Sequence, residues 1–282
     1  MLENTTENDI AGLRNGVIAG TFLATVRECR PLVHHITNSV TINDCANTTI
    51  AVGAAPVMAE APEEVAEMVA AADALVLNIG TLTHEQVEAM LIAGRRANEL
   101  GIPVILDPVG AGATAFRTDT AWKLLKELDI AVLKGNTGEI GHLAGAGGSV
   151  RGVDSDGIEG DPVETVQECA RLTGVVVAMT GDIDIVADQK RVFLIENGDP
   201  MMERLSGTGC MVASITGAFA AVTDDYSFAA ASALAAFGLA GERAAAGARG
   251  PCSFRTALID ELFVLTRDGL TMGAKIEEFY GI

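Results

Sequence analysis

ALVLNIGTLTHEQVEAMLIAGRRANELGIPVILDPVGAG, residues 74–112, decides the fold class. Residues 74–78 form a short apolar run closed by Gly80. Residues 84–100 follow Thr83 with the spacing of an amphipathic helix, and Gly101 stops it. Residues 103–106 form a second apolar run that ends at Asp107. Strand, helix, strand at these lengths is a βαβ unit, the building block of a parallel sheet.

The same rhythm extends in both directions. Upstream, residues 1–9 read as a polar, frayed end. Residues 12–30 are helical and lead to Pro31; residues 32–37 are a β-rich run ending in Thr37-Asn38. Residues 41–52 read as a helix capped by Gly53, residues 56–59 as a short strand, and residues 62–72 as a helix with Glu63 and Glu64 in its first turn. Downstream, residues 122–128 are helical, 130–133 a strand and 137–143 a helix. Residues 145–161, rich in Gly, Ser and Asp, read as a surface loop. A helix over 163–172, a strand over 175–179 and a hairpin over 183–187 and 191–195 follow. Residues 211–222 are a helix entered from a glycine-rich turn, and three C-terminal helices, with a buried alanine-rich segment over 228–239, complete the chain. There is no internal repeat or break in composition, so residues 1–282 are expected to form a single domain with a mainly parallel sheet.

Composition narrows the function. A formal net charge of −19 argues against nucleic-acid binding, which needs basic surface. No apolar run reaches membrane-spanning length and no signal peptide is evident, so neither a membrane partner nor export is expected. The five cysteines are scattered and form no CxxC pair, which fits a reduced, cytoplasmic protein. Lysines are few and carboxylates many; this suits a high-salt cytoplasm and equally an ordinary acidic enzyme.

The chemistry gathers at the strand ends, where open α/β sheets bind ligands. Asn38, Asn78 with Gly80, Asp107, Lys134 with Glu139 one turn on, and Thr180-Gly181 each follow a predicted strand. Leu205-Ser206-Gly207-Thr208-Gly209-Cys210-Met211 then opens a helix. Free N–H groups at a helix N-terminus, backed by its dipole, hold phosphate or the charge that develops on it. Cys210 in the first turn is where a thiolate is favoured, so a lowered thiol pKa is expected there. Asp107 and Glu139 have the donor type for Mg²⁺ held through water, Lys134 the charge for phosphate oxygens, and Thr180-Gly181 a hydroxyl and N–H groups for a nucleotide. Each also has an ordinary role: a turn aspartate before proline, a solvated glutamate, a snorkelling lysine, a strand exit, a small core cysteine. It is their recurrence at almost every exit that packing alone does not explain. His34 and His35 point to opposite faces of one strand, one of them toward the core, and share no metal. His84 sits at a helix start, and His142, one turn past Glu139, lacks a third ligand. Met58 reads as core from its spacing.

Residues 31–38 (PLVHHITN), 56–59 (PVMA), 75–81 (LVLNIGT), 104–113 (VILDPVGAGA), 134–140 (KGNTGEI) and 206–210 (SGTGC) together resemble the hydroxyethylthiazole kinase family, in order across residues 20–260. The DPVGAG segment and a cysteine where related kinases carry aspartate are the specific parts; the glycine turn is shared by the wider ribokinase-like superfamily. The resemblance implies a ribokinase-like three-layer α/β/α fold. It implies ATP- and Mg²⁺-dependent phosphorylation of the primary alcohol of 4-methyl-5-(2-hydroxyethyl)thiazole for thiamine salvage, by a homotrimer with sites between subunits. It further implies that Asn38, Met58, Gly80 and Gly207 line the thiazole site, that Lys134 and Thr180 contact ATP, and that Asp107 and Glu139 serve Mg²⁺. Gly207, Thr208, Gly209 and Cys210 would form the anion hole, with Cys210 taking the proton. Lys134 stands where arginine is frequent and Ser206 where threonine is, and both keep the needed chemistry. The alternatives are a hydroxymethylpyrimidine or pyridoxal kinase of the same superfamily, which Cys210 speaks against, and a nucleotide-binding sensor, which need not keep a base.

Overall fold

The computed structural model describes residues 7–280 apart from 147, 152, 153 and 159. The chain runs α1 (Glu7–Cys29), β1 (Leu32–Ile36), α2 (Ile42–Val52), β2 (Ala55–Val57), α3 (Val65–Ala70), β3 (Ala74–Asn78), α4 (His84–Leu100), β4 (Val104–Asp107), α5 (Ala115–Glu127), β5 (Val132–Asn136) and α6 (Thr137–Leu143). It continues through β6 (Gly148–Arg151), β7 (Asp154–Ile158), α7 (Pro162–Thr173), β8 (Val176–Thr180), β9 (Asp184–Ala187), β10 (Arg191–Ile195) and a 3-10 turn at Pro200–Arg204. The last elements are α8 (Thr208–Ala220), α9 (Tyr226–Gly247), α10 (Pro251–Val264), α11 (Arg267–Gly273) and β11 (Ile276–Tyr280).

Among the described residues the main sheet has nine strands, ordered β11-β10-β9-β8-β5-β4-β3-β1-β2. From β2 to β8 neighbours pair in parallel; β9, β10 and β11 continue antiparallel at the other edge. Strand alternation divides the core in two. In β3, Ala74 and Val76 pack with α1, α2, α8, α9 and α10, whereas Leu75 and Leu77 pack with α3 to α7. The result is the three-layer α/β/α arrangement, with a parallel sheet buried on both faces by crossover helices.

Two helices position the site. In α8, every residue from Met211 to Ala220 is buried, and the helix lies close on the sheet because Gly217 has no side chain. A Cβ there would stand 2.8 Å from Val76 Cγ2 and 3.2 Å from Val33 Cγ1. At α6, Asn136 and Glu139 close a capping box across the end of β5.

Several elements differ from the sequence reading. Residues 145–161 hold an antiparallel hairpin, β6 with β7, where a loop was expected. Helix α3 is shorter than expected and leaves Glu63 and Glu64 ahead of it. Helix α5 starts at Ala115, capped by the Thr114 hydroxyl, and α8 starts at Thr208. Strand β5 carries on through Lys134 to Asn136, and β11 has no counterpart in the sequence reading. His34 and His35 are both buried, because both faces of β1 are covered. The expectation of a frayed end at residues 1–9 is corrected for 7–9, which open α1, and for 1–6 falls outside the described residues.

Candidate active site

The carboxyl ends of β1, β3, β4 and β5 converge beneath the N-terminus of α8, and the end of β8 lies beside that of β5. Gly207 is the N-cap at φ 91°, in the left-handed region where glycine is favoured, and a Cβ on it would run into the Thr41 side chain. The helix ladder opens with the Met211 N–H donating to the Gly207 carbonyl (2.9 Å). The N–H groups of Thr208, Gly209 and Cys210 stand ahead of that first bond, as an anion cradle requires.

Below the cradle lies Lys134. It is buried, not snorkelling, and its Nζ is 2.9 Å from where a Cβ of Gly209 would be and 3.9 Å from Asp107 Oδ1. Burial opposes its charge, but Asp107, Glu139, Cys210 and Asp184 outweigh that and hold the ammonium above its ordinary pKa. Burial also drives the Asp107 carboxyl up, against Lys134, Asn78 and Cys210, which pull it down. Glu139 is pushed up to about 7 by burial and then by the charge of Asp107. Both its oxygens already accept backbone N–H groups, Gly110 at 2.7 Å and Asn136 at 2.8 Å. Two buried carboxylates thus share one lysine. Their hard oxygen donors and uncompensated charge fit a divalent cation such as Mg²⁺, which takes few protein ligands beside phosphates and water.

Cys210 reaches into this cluster. Its thiol meets Asp107, and Asn38 Nδ2 donates to its sulfur at 3.3 Å. Burial pushes the thiol up to about 12, the Asp107 charge adds to this, and Lys134 opposes it. The lowered thiol pKa expected from the helix end is therefore corrected. A helix terminus contributes at most about 2 kcal/mol, or about 1.5 pKa units, and loss of water outweighs it.

The remaining residues divide. Asn38 and Gly80 pack together, and the Gly80 N–H donates to Asn78 Oδ1 (2.9 Å). The Thr180 hydroxyl donates to the Gly135 carbonyl (3.3 Å), and the Gly181 N–H is taken by Asp184 Oδ1 (3.0 Å). The offer of that N–H to a nucleotide is thus corrected: the turn closes on itself. Met58 follows the outermost strand at the level of His34 and His35, half-buried, with no described contact to the Cys210 cluster of its own chain. Sequence reasoning assigned no role to Asn78, Asp184 or Arg117. The Arg117 guanidinium ties the β3 exit to the β4 exit by donating to Ile79, Gly80 and Val109 carbonyls. Asn78 stood at a strand end, which was a signal; Arg117 lies inside a helix and gave none.

Comparison with known proteins points one way. The model of the hydroxyethylthiazole kinase family matches residues 23–268. The chain is 71% identical over 278 residues to a hydroxyethylthiazole kinase of Methanoculleus marisnigri, covering 99% of this chain and all of that one. It is 62% identical over 254 residues to that of Methanocella arvoryzae, covering 90% and 96%. Among solved structures, hydroxyethylthiazole kinase from Pyrococcus horikoshii superposes with a TM-score of 0.84 at 43% identity, covering 93% of this chain and 99% of that one. Staphylococcus aureus pyridoxal kinase in complex with AMP-PCP and pyridoxal, at 15% identity and a TM-score of 0.58 over 89% of this chain and 99% of that one, shares the fold.

Proposed function

The chain belongs to the hydroxyethylthiazole kinase family, and from that premise we propose how its residues carry the reaction. It is a phosphotransferase with an alcohol acceptor. It moves the γ-phosphoryl group of ATP to the primary hydroxyl of 4-methyl-5-(2-hydroxyethyl)thiazole, a step of thiamine biosynthesis. The observation that carries the site assignment is the convergence of Lys134, Asp107 and Cys210 on the N-terminus of α8.

Phosphoryl transfer needs positioning and charge neutralisation more than covalent chemistry. Lys134 lies under the cradle, where it neutralises phosphate oxygens as they arrive. The N–H groups of Thr208, Gly209 and Cys210 face the equatorial oxygens whose charge grows in the transition state. Asp107 and Glu139 would hold Mg²⁺, which when bound supplies charge neutralisation of the polyphosphate. Thr180 marks the nucleotide side, and Asn38, Gly80 and Gly207 the alcohol side. Because burial holds Cys210 as a thiol, the proton leaves late, once the new ester oxygen has become strongly acidic. It passes to sulfur as the S–H proton moves to the Asp107 carboxylate. One proton enters the pair and the thiol is regenerated.

We also propose a cytoplasmic homotrimer, with Met58 reaching the thiazole site of a neighbouring subunit. Exposed Val40 and Ile50 around α2, and Phe263 and Val264 on the packed α10, support an apolar interface. A coupled ADP-release assay over a panel of primary alcohols tests the function. Turnover is expected with the thiazole alcohol and only weakly with hydroxymethylpyrimidine or pyridoxal; the reverse preference would contradict it.

A further inference from the structure

Three neighbouring strands place Asn38, Asn78 and Asp107 side by side, all buried. Asn78 and Asp107 are register partners across the parallel pair β3–β4, and Asn38 lies just past β1 on the other side. Hydrogen bonds join them in a chain of fixed direction. Asn38 Oδ1 accepts the Val40 N–H (3.1 Å) and Thr41 N–H (3.0 Å), so its amide nitrogen must face the other way. That nitrogen donates to Asn78 Oδ1 (2.9 Å) and to Cys210 Sγ (3.3 Å). Asn78 Oδ1 also accepts the Gly80 N–H (2.9 Å), which turns its own amide nitrogen onto Asp107 Oδ2 (2.6 Å). Backbone N–H groups can only donate, so neither amide can flip without burying an unmatched pair.

We propose that Asn78 is a positioning residue for phosphoryl transfer, whose amide fixes Asp107 and, through Asn38, the Cys210 thiol as one unit. This rests on the kinase reading. The Asn78 donor occupies Oδ2 of Asp107 and leaves Oδ1 facing Lys134 (3.9 Å). Without it the carboxylate keeps only the longer Lys134 contact (3.9 Å) and the Cys210 thiol, and Asn38 loses the acceptor that aims its second hydrogen. A partner behind a metal-binding carboxylate typically matters 10–100-fold for metal affinity or activity.

The test compares the wild type with Asn78→Ala and with Asn78→Asp, which keeps the shape but sets oxygen against oxygen. Three quantities are measured: kcat and KM for the thiazole alcohol; Mn²⁺ Kd from the electron-spin-resonance signal of free Mn²⁺, without alcohol; and melting temperature. Both variants are expected to lose about 10–100-fold in kcat and to weaken Mn²⁺ binding by about the same factor. KM for the alcohol is expected to rise as well in Asn78→Ala, because Asn78 Oδ1 holds Asn38 and the Gly80 N–H on the alcohol side, and the Mn²⁺ Kd, read without alcohol, separates the positioning of Asp107 from that effect. A folded Asn78→Ala with wild-type kcat and Mn²⁺ Kd overturns the proposal. So does a lowered melting temperature with both constants unchanged, or failure of both variants to fold, since each gives Asn78 a structural role alone. Absence of phosphorylated alcohol from the wild type would instead overturn the kinase reading, and the Mn²⁺ measurement would then decide the role of Asn78 by itself.

Discussion

Cys210 and Gly207 show how much one residue's surroundings decide. The residue types were legible in the sequence: a thiol in the first turn of a helix behind two glycines. The thiol's state was not, because it depends on burial and on the carboxylate of Asp107, which lies 103 residues earlier in the chain and meets Cys210 only in the fold. The role of Asn78 was hidden for the same reason, since its partners are set by strand register and not by spacing. Gly207 permits a direct prediction. Any side chain there meets both the left-handed φ of 91° and the Thr41 side chain. Gly207→Ala is expected to cost about 1–3 kcal/mol of stability and to lower kcat further by tilting the cradle. Chemical denaturation beside steady-state kinetics checks it, and a variant equal to wild type in both would remove the cradle's need for glycine.

At the scale of elements, the βα rhythm from β1 to β8 was readable because buried parallel strands are short apolar runs and helices show their own period. Strand β11 was not, because Ile276-Glu-Glu-Phe-Tyr280 carries two charges and, among the described residues, pairs only with β10, more than 80 residues earlier in the chain. The hairpin β6–β7 was hidden by loop-like composition. Strand β1 carries a prediction about pH. His35 on it is fully buried, which depresses its pKa from 6.5 to about 4. The unfolded chain therefore takes up the proton first as pH falls, so the stabilising share of neutral His35 is complete above about pH 6.5 and is lost towards pH 4. Its size is up to about 3 kcal/mol. Glu139 and Asp184, both drawn up to about 7, act in the opposite sense over the same window, because the folded state holds their protons more tightly. The observable is thus a difference. Between pH 7 and pH 4, wild type should lose more unfolding free energy than His35→Gln by up to about 3 kcal/mol. Parallel pH profiles of the two would show His35 to be already charged or exposed.

For the whole molecule, assembly and surface charge each give an expectation. If Met58 serves a neighbour's site, Met58→Arg and Cys210→Ala should each be nearly inactive alone. Mixed assemblies should regain activity, since some interfaces then pair an intact Met58 with an intact Cys210. No recovery after verified subunit exchange would place each site within one chain. The net charge of −19 means self-repulsion at low salt. At molar salt the Debye length falls to about 3 Å, so the melting temperature should rise from low salt to about molar KCl. A flat or falling curve would mark an ordinary acidic enzyme. The function itself is tested most directly by single-turnover transfer from MgATP to the thiazole alcohol in wild type, Cys210→Ala and Cys210→Asp. Cys210→Ala is expected to be about 10²-fold slower with nucleotide binding kept, Cys210→Asp to retain transfer, and no phosphorylated enzyme to appear. Wild-type speed in Cys210→Ala, or an accumulating phosphoenzyme, would contradict the role of Cys210 as proton acceptor at the head of α8.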